Sequence, residues 1–148
     1  MNKDVSLTPA EMLQGGIVGM RRRVDSILKK LHDQAGDSNG WENEIEGALA
    51  EMAVAKAFGQ YFDPNVGKYG EADVGEFHVR QTKYTDGHLR IEKHETHGKY
   101  LLVTGAMGEY TIRGWIDAEK ARHEKFLCVK HKGRNPAYWI PQSELEPV

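Results

Sequence analysis

Cysteine, long apolar runs, net charge and internal repetition are all scarce in this chain of 148 residues. The single cysteine, Cys128, excludes an internal disulfide framework and any cysteine-rich zinc module. It sits in Phe126-Leu127-Cys128-Val129, which reads as a buried core thiol rather than a nucleophile. No apolar stretch approaches the roughly 18 residues of a membrane span. Met1-Asn2-Lys3-Asp4 leads into no apolar segment, so no signal peptide is expected and a cytoplasmic setting follows. Net charge is −2, from 20 basic and 22 acidic residues, which excludes a protein that coats nucleic acid through bulk charge. Any phosphate contact must come from local clusters. Two exist: Arg21-Arg22-Arg23 with Lys29-Lys30, and Lys130-His131-Lys132-Gly133-Arg134.

What remains describes one soluble domain, residues 1–148, with a helix and loop over 1–40 and the core over 41–148. Residues 1–7 are polar and read as frayed. Thr8-Pro9-Ala10-Glu11 predicts a helix start: Thr8 as N-cap, Pro9 at the first helical position, Glu11 closing a capping box. Ile17, Met20, Val24, Ile27, Leu28 and Leu31 then trace one helical face, with the three arginines mostly off it. Gly15-Gly16 weakens the early part of this helix. Gly36 to Gly40 is a loop. A second helix is expected from Trp41 to Phe58, stopped by Gly59. Ile45, Leu49, Met52, Ala53 and Phe58 can face a core, while Glu44, Ala48 and Glu51 share a neighbouring face. Its many small residues allow close approach to a sheet.

The chain then changes to strands. Tyr61 to Glu71 is loop-like, and Ala72-Asp73-Val74 is a short extended piece before a turn at Gly75-Glu76. Phe77 to Tyr84 alternates as a strand, and Asp86-Gly87 predicts a hairpin returning through His88 to Glu92. Tyr100 to Thr104, Tyr110 to Ile116, Phe126 to Lys130 and Ala137 to Ile140 are further strands, with a short helix or turn over Asp117 to Arg122. The expected fold class is α/β (α+β): two N-terminal helices followed by a mixed, mostly antiparallel sheet.

Chemistry concentrates between Asp73 and Lys83. Gln81 and Lys83 lie two apart on one strand, so their side chains leave the same face. A turn at Gly75-Glu76 brings Asp73 towards them, and Glu51 arrives from the helix. Phosphodiester hydrolysis requires such a set. A carboxylate pair binds a hard divalent cation, which polarises a phosphoryl oxygen and lowers the pKa of a bound water. A lysine stabilises developing negative charge.

Glu51 on a helix, then Asp73, then Gln81-Thr82-Lys83 resembles the PD-(D/E)xK (restriction-endonuclease-like) nuclease superfamily over about residues 44–104. Gly47-Ala48-Leu49-Ala50-Glu51 is similar to the helix of Holliday-junction resolvases and RecB-like nucleases. Gln-x-Lys resembles the variant of Mrr-like and virus-type nucleases, and the closing Tyr138-Trp139-Ile140-Pro141-Gln142 looks like small bacteriophage nuclease-like proteins. The resemblance implies a restriction-endonuclease-like core and an Mg2+- or Mn2+-dependent deoxyribonuclease, more an endonuclease than an exonuclease. It would act on DNA in the host cytoplasm if viral, and as a possible homodimer. It implies Glu51 and Asp73 as metal ligands, Gln81 as a weak ligand or water-orienting group, and Lys83 beside the attacking hydroxide. Ala72 stands where the family has proline. Gln81 replaces an acidic residue, so metal binding leans on Asp73 and Glu51. The alternative is a catalytically degenerate nucleic-acid-binding or phage assembly protein with the same fold.

Further candidates surround this set. Glu44 shares the face of Glu51 as a helix-surface carboxylate or a second metal residue. Tyr84 follows the lysine. Arg90, by alternation, faces the site and can hold a phosphate, or is a surface ladder residue. Arg113-Gly114-Trp115 and Arg134-Asn135-Pro136-Ala137-Tyr138-Trp139 mix basic and aromatic residues in a way that suits distorted or single-stranded DNA, with the tryptophans more readily read as core. His94-Glu95-Thr96-His97 has no third zinc ligand and reads as a solvated loop. Gly105-Ala106-Met107-Gly108 lacks the Gly-Lys-Ser/Thr ending of a phosphate loop.

Overall fold

The computed structural model describes residues 2–29, 40–66, 71–128 and 135–148. Helix α1 (Pro9–Leu28) starts as its sequence dictates. Thr8 Oγ1 accepts from the Glu11 N–H at 3.2 Å, and Glu11 Oε1 accepts from the Thr8 N–H at 2.7 Å. This reciprocal cap satisfies two donors that a helix start otherwise leaves open. Helix α2 (Gly40–Phe58) ends at Gly59, whose φ of 63° suits a residue without Cβ.

The two helices pack as a hairpin through glycine. A Cβ on Gly19 would stand 2.5 Å from the Ile45 Cα and 2.7 Å from the Glu44 carbonyl oxygen; one on Gly15 would meet Leu49 Cδ2 at 2.8 Å. The buried face of α1 is therefore Gly15, Val18, Gly19 and Ser26. The apolar stripe evident in the sequence points the other way: Ile17, Met20, Val24, Ile27 and Leu28 are exposed, and so is Leu13. Leu31 lies outside the described residues. Close backbone contact, rather than hydrophobic content, chose the inner face. Gly19→Val is expected to destabilise the protein by about 1–3 kcal/mol, because the obstructing atoms are backbone and cannot rotate away. A denaturant midpoint that does not fall relative to wild type would contradict this packing.

Four strands form the main sheet in the order β1 (Lys3–Ser6), β5 (Glu109–Asp117), β4 (Lys99–Ala106), β2 (Phe77–Thr82). β2 runs parallel to β4 and the other pairs are antiparallel. β1 corrects the expectation of a frayed start. Val5 and Leu7, two apart, are buried against the core, and Lys3 to Ser6 complete the open edge of β5. A second sheet has the order β3 (Leu89–Glu92), β7 (Ala137–Ile140), β6 (Leu127–Cys128). Cys128 is a half-buried free thiol at its margin. The short helix α3 (Ala118–Ala121) follows β5. The architecture is thus mixed α+β, with three helices and a mixed main sheet among the described residues.

The expected hairpin at Asp86-Gly87 is also corrected. The Gly87 N–H still closes a turn on the Tyr84 carbonyl at 3.0 Å, but β2 and β3 belong to different sheets. β3 pairs with β7 instead, where Leu89, Ile91 and Ile140 are fully buried. Long-range burial of three large side chains outweighs a local turn preference. Gln142 holds the diverging loop by donating to the Thr85 and Gly87 carbonyls at 2.8 and 3.0 Å.

Two cores follow from strand alternation on β4. Leu101 and Val103 face α2 with Leu49, Ala53, Val54 and Ile112, while Tyr100 and Leu102 face the second sheet with Leu89, Ile91, Ile116 and Ile140. Covered on both faces, β4 is apolar without alternation, as a central strand should be.

A buried carboxylate pair in a polar cleft

Glu51 sits midway along α2, and Asp73 lies just before β2. The Asp73 N–H donates to the Phe77 carbonyl at 2.9 Å, and Val74 and Phe77 pair across the turn at Gly75, whose φ is 56°. β2 is the outer strand of its sheet, so donors on its free edge need partners. Asp73 Oδ2 takes one, accepting from the Val79 N–H at 2.7 Å. The turn therefore carries Asp73 back along β2 as far as Val79.

Across from it, Glu51 Oε2 accepts from Arg22 Nη1 at 2.8 Å. Arg22 also donates to the carbonyls of Asp63 at 3.1 Å and Asn65 at 3.3 Å, tying the loop after α2 to the carboxylate. Asp63 Oδ1 accepts from the Asn65 N–H at 2.9 Å and shapes that loop. A cleft of about 200 Å³ results, walled by Arg22, Ser26, Glu44, Glu51, Asp63 and Asp73 among others.

Burial raises Glu51 to about 7, helped by the negative charge of Asp73 and, more weakly, of Glu44; Arg22 opposes the rise without cancelling it. Asp73 is also raised, chiefly by burial, against the Val79 N–H and the charges of Arg80, His78 and Arg22. Two desolvated carboxylates close enough to repel each other have two ways to lower their energy. One takes a proton, or the pair takes a cation. Magnesium binds through one or two carboxylates while keeping several waters, so this donor set fits a hard divalent ion. Among the described residues, no three His, Cys, Asp or Glu side chains form a complete metal-binding group, so water would supply the remaining ligands.

The other residues singled out from the sequence fall elsewhere. Gln81 follows Val79 by two on the same face of β2, but its amide nitrogen donates to the Gly105 carbonyl at 2.7 Å and it does not wall the cleft. Lys83 lies beyond the end of β2, exposed, with its ammonium 5.4 Å from the centre of the Tyr84 ring; it does not wall the cleft either. Glu44 does wall it. Arg90 does not face the site, because β3 is not beside β2; its guanidinium pairs with Glu92 and lies 5.6 Å from the Trp139 ring centre. Arg113 donates to the buried Thr104 hydroxyl at 2.7 Å, near the bulge between Leu102 and Val103. Tyr84 is exposed. Arg134 and the basic run around it lie outside the described residues. Glu95, in the His94 to His97 turn, holds structure: it pairs with Arg80, accepts from the Glu92 N–H at 2.8 Å and accepts from the Tyr100 hydroxyl at 3.3 Å.

Sequence reasoning missed Arg22. Three adjacent arginines mostly off the apolar face read as a basic cluster for phosphate or as a solvated helix face, and nothing local marks which one turns inward. The usable signal was Gly15, Gly19 and Ser26 at helical spacing with Arg22, a small-residue face along which a long side chain can run. No family model, curated protein or solved structure matches this chain. Among the described residues no helix is long and apolar enough to cross a membrane.

Proposed function

We propose that this chain is a metal-dependent nuclease that hydrolyses DNA phosphodiester bonds, with a restriction-endonuclease-like core formed by α2 and the main sheet. The observation that supports it best is the buried Glu51–Asp73 pair, two carboxylates on a helix and a strand-edge turn facing one polar cleft. Glu51 and Asp73 would hold Mg2+ or Mn2+, which when bound supplies an activated water and neutralises phosphoryl charge. Arg22 orients Glu51 and keeps the second carboxylate from being expelled by repulsion. The Val79 N–H orients Asp73. Tyr84, exposed beside Lys83, is a surface on which a base can stack.

One observation favours the second reading, a nucleic-acid-binding or assembly protein that keeps the fold without cutting. Gln81 is spent on Gly105, and Lys83 stands over Tyr84 outside the cleft. Cleavage assays on duplex, single-stranded and branched DNA with Mg2+ and with Mn2+ decide between them. The nuclease reading expects metal-dependent cutting of at least one substrate, abolished by a chelator. No cutting of any substrate with either metal would leave the binding reading in its place.

A further inference from the structure

The outward stripe of α1 has a regular spacing. Leu13, Ile17, Met20, Val24 and Ile27 follow one another at steps of 4, 3, 4 and 3, the a/d rhythm of a helix that packs against another helix. All five are exposed, as is Leu28 beside them, at 44% to 76% of their surface. They lie on the side of α1 opposite Gly15 and Gly19, which seat the helix on α2. Together they present roughly 600 Å² of surface, the upper end of what a monomer ordinarily leaves in water.

We propose that this face is a self-association seam, on which a second copy of the chain packs its own α1 antiparallel about a two-fold axis. Two such faces remove about 1,200 Å² from water, the lower bound of a stable specific interface. A two-fold contact requires only a surface complementary to itself, and an a/d stripe is one. In the antiparallel sense the helix dipoles run opposed, which favours it over the parallel one. The stripe is also too narrow for lipid: a strict a/d seam covers less of the helix than an interfacial face does, and it carries no tryptophan or phenylalanine. In an antiparallel register centred midway between Met20 and Val24, Ile17 faces Ile27 and Met20 faces Val24. The seam stands independently of the nuclease reading, since it uses no residue of the cleft.

Sedimentation equilibrium of the full chain over nanomolar to tens of micromolar concentrations tests it. Wild type is expected to reach twice the chain mass. Met20→Lys and Val24→Glu, each an exposed position in the monomer, are expected to keep the wild-type circular dichroism spectrum and to weaken self-association by at least about a hundredfold. An equimolar mixture of the two variants is expected to regain dimer, because the lysine introduced in one chain then faces the glutamate introduced in the other. A wild type that stays monomeric throughout, or single variants that stay dimeric, would overturn the proposal. So would monomeric wild type that floats with vesicles containing phosphatidylserine, which would make the face a membrane contact.

Discussion

Asp73→Asn is expected to lower metal-dependent DNA cleavage by about a thousandfold, equivalent to ~4 kcal/mol of transition-state stabilisation. The substitution preserves shape. Asparagine can still accept the Val79 N–H through its side-chain oxygen, so the turn from Asp73 to Phe77 is expected to persist. What is lost is a negative charge in a desolvated cleft, where Glu51, Glu44, Asp63 and Glu71 are the other carboxylates. Metal affinity should fall with the rate, and isothermal titration with Mn2+ would report it separately from catalysis. The expected pattern is therefore a folded protein with wild-type spectra, weak metal binding and almost no cleavage. A variant that cuts at the wild-type rate would remove Asp73 from the site. Loss of activity together with loss of fold would be resolved by Asp73→Glu, which restores the charge on a longer arm and is expected to regain part of the metal binding.

The second large effect is on stability against pH. Glu51 is raised to about 7 in the folded protein from an ordinary 4.5, and Asp73 moves in the same direction. A carboxyl whose folded pKa is raised favours the folded state most when it is protonated in both states, below about pH 4.5. As pH climbs from there towards 7, the unfolded chain ionises first and the folded state loses ground. Above about 7 the full cost is present. For Glu51 that cost is about 3 kcal/mol. Glu51→Gln removes it while keeping an oxygen for Arg22. The variant is expected to be more stable than wild type at pH 8 by about 1–3 kcal/mol, with little difference at pH 4.5. Chemical denaturation at the two pH values measures this. Identical pH profiles for wild type and variant would show that Glu51 is not buried against Asp73. The same linkage makes a metal prediction: Mg2+ should raise the melting temperature of wild type more at pH 8 than at pH 5, because protons and metal compete for the same two carboxylates.

These two effects rest on residues that the amino-acid sequence already marks. Glu51 is visible there because it shares a helix face with Glu44 beside an apolar stripe, and Asp73 because Gly75-Glu76 marks a turn that doubles it back on the next strand. The partner that shapes their chemistry, Arg22, is not. It reaches the cleft from a helix whose orientation hydrophobic periodicity predicts the wrong way round. On α1 the periodic face stays in water, and the inner face is set by two glycines, Gly19 against the backbone of Ile45 and Glu44 and Gly15 against Leu49. The extent of Asp73's return is also beyond local reasoning. Spacing suggests contact with Gln81 and Lys83, whereas the bond to Val79 stops it two residues short of Gln81.

What the amino-acid sequence determined by itself is whatever depends on neighbours along the chain. The capping box at Thr8 and Glu11 starts α1, Gly59 stops α2, Gly75 permits the turn after Asp73, and the unbroken apolar run Tyr100 to Val103 makes a strand covered on both sides. Only the tertiary structure decided which strand pairs with which, which way α1 faces, and which of three arginines meets Glu51. Those outcomes depend on sums of long-range burial. Leu89, Ile91 and Ile140 drew β3 away from β2 despite a favourable turn, and close packing at Gly15 and Gly19 turned the apolar stripe of α1 outward. A short segment carries no record of the surface it will meet, so its own pattern cannot choose between two partners that satisfy it equally well.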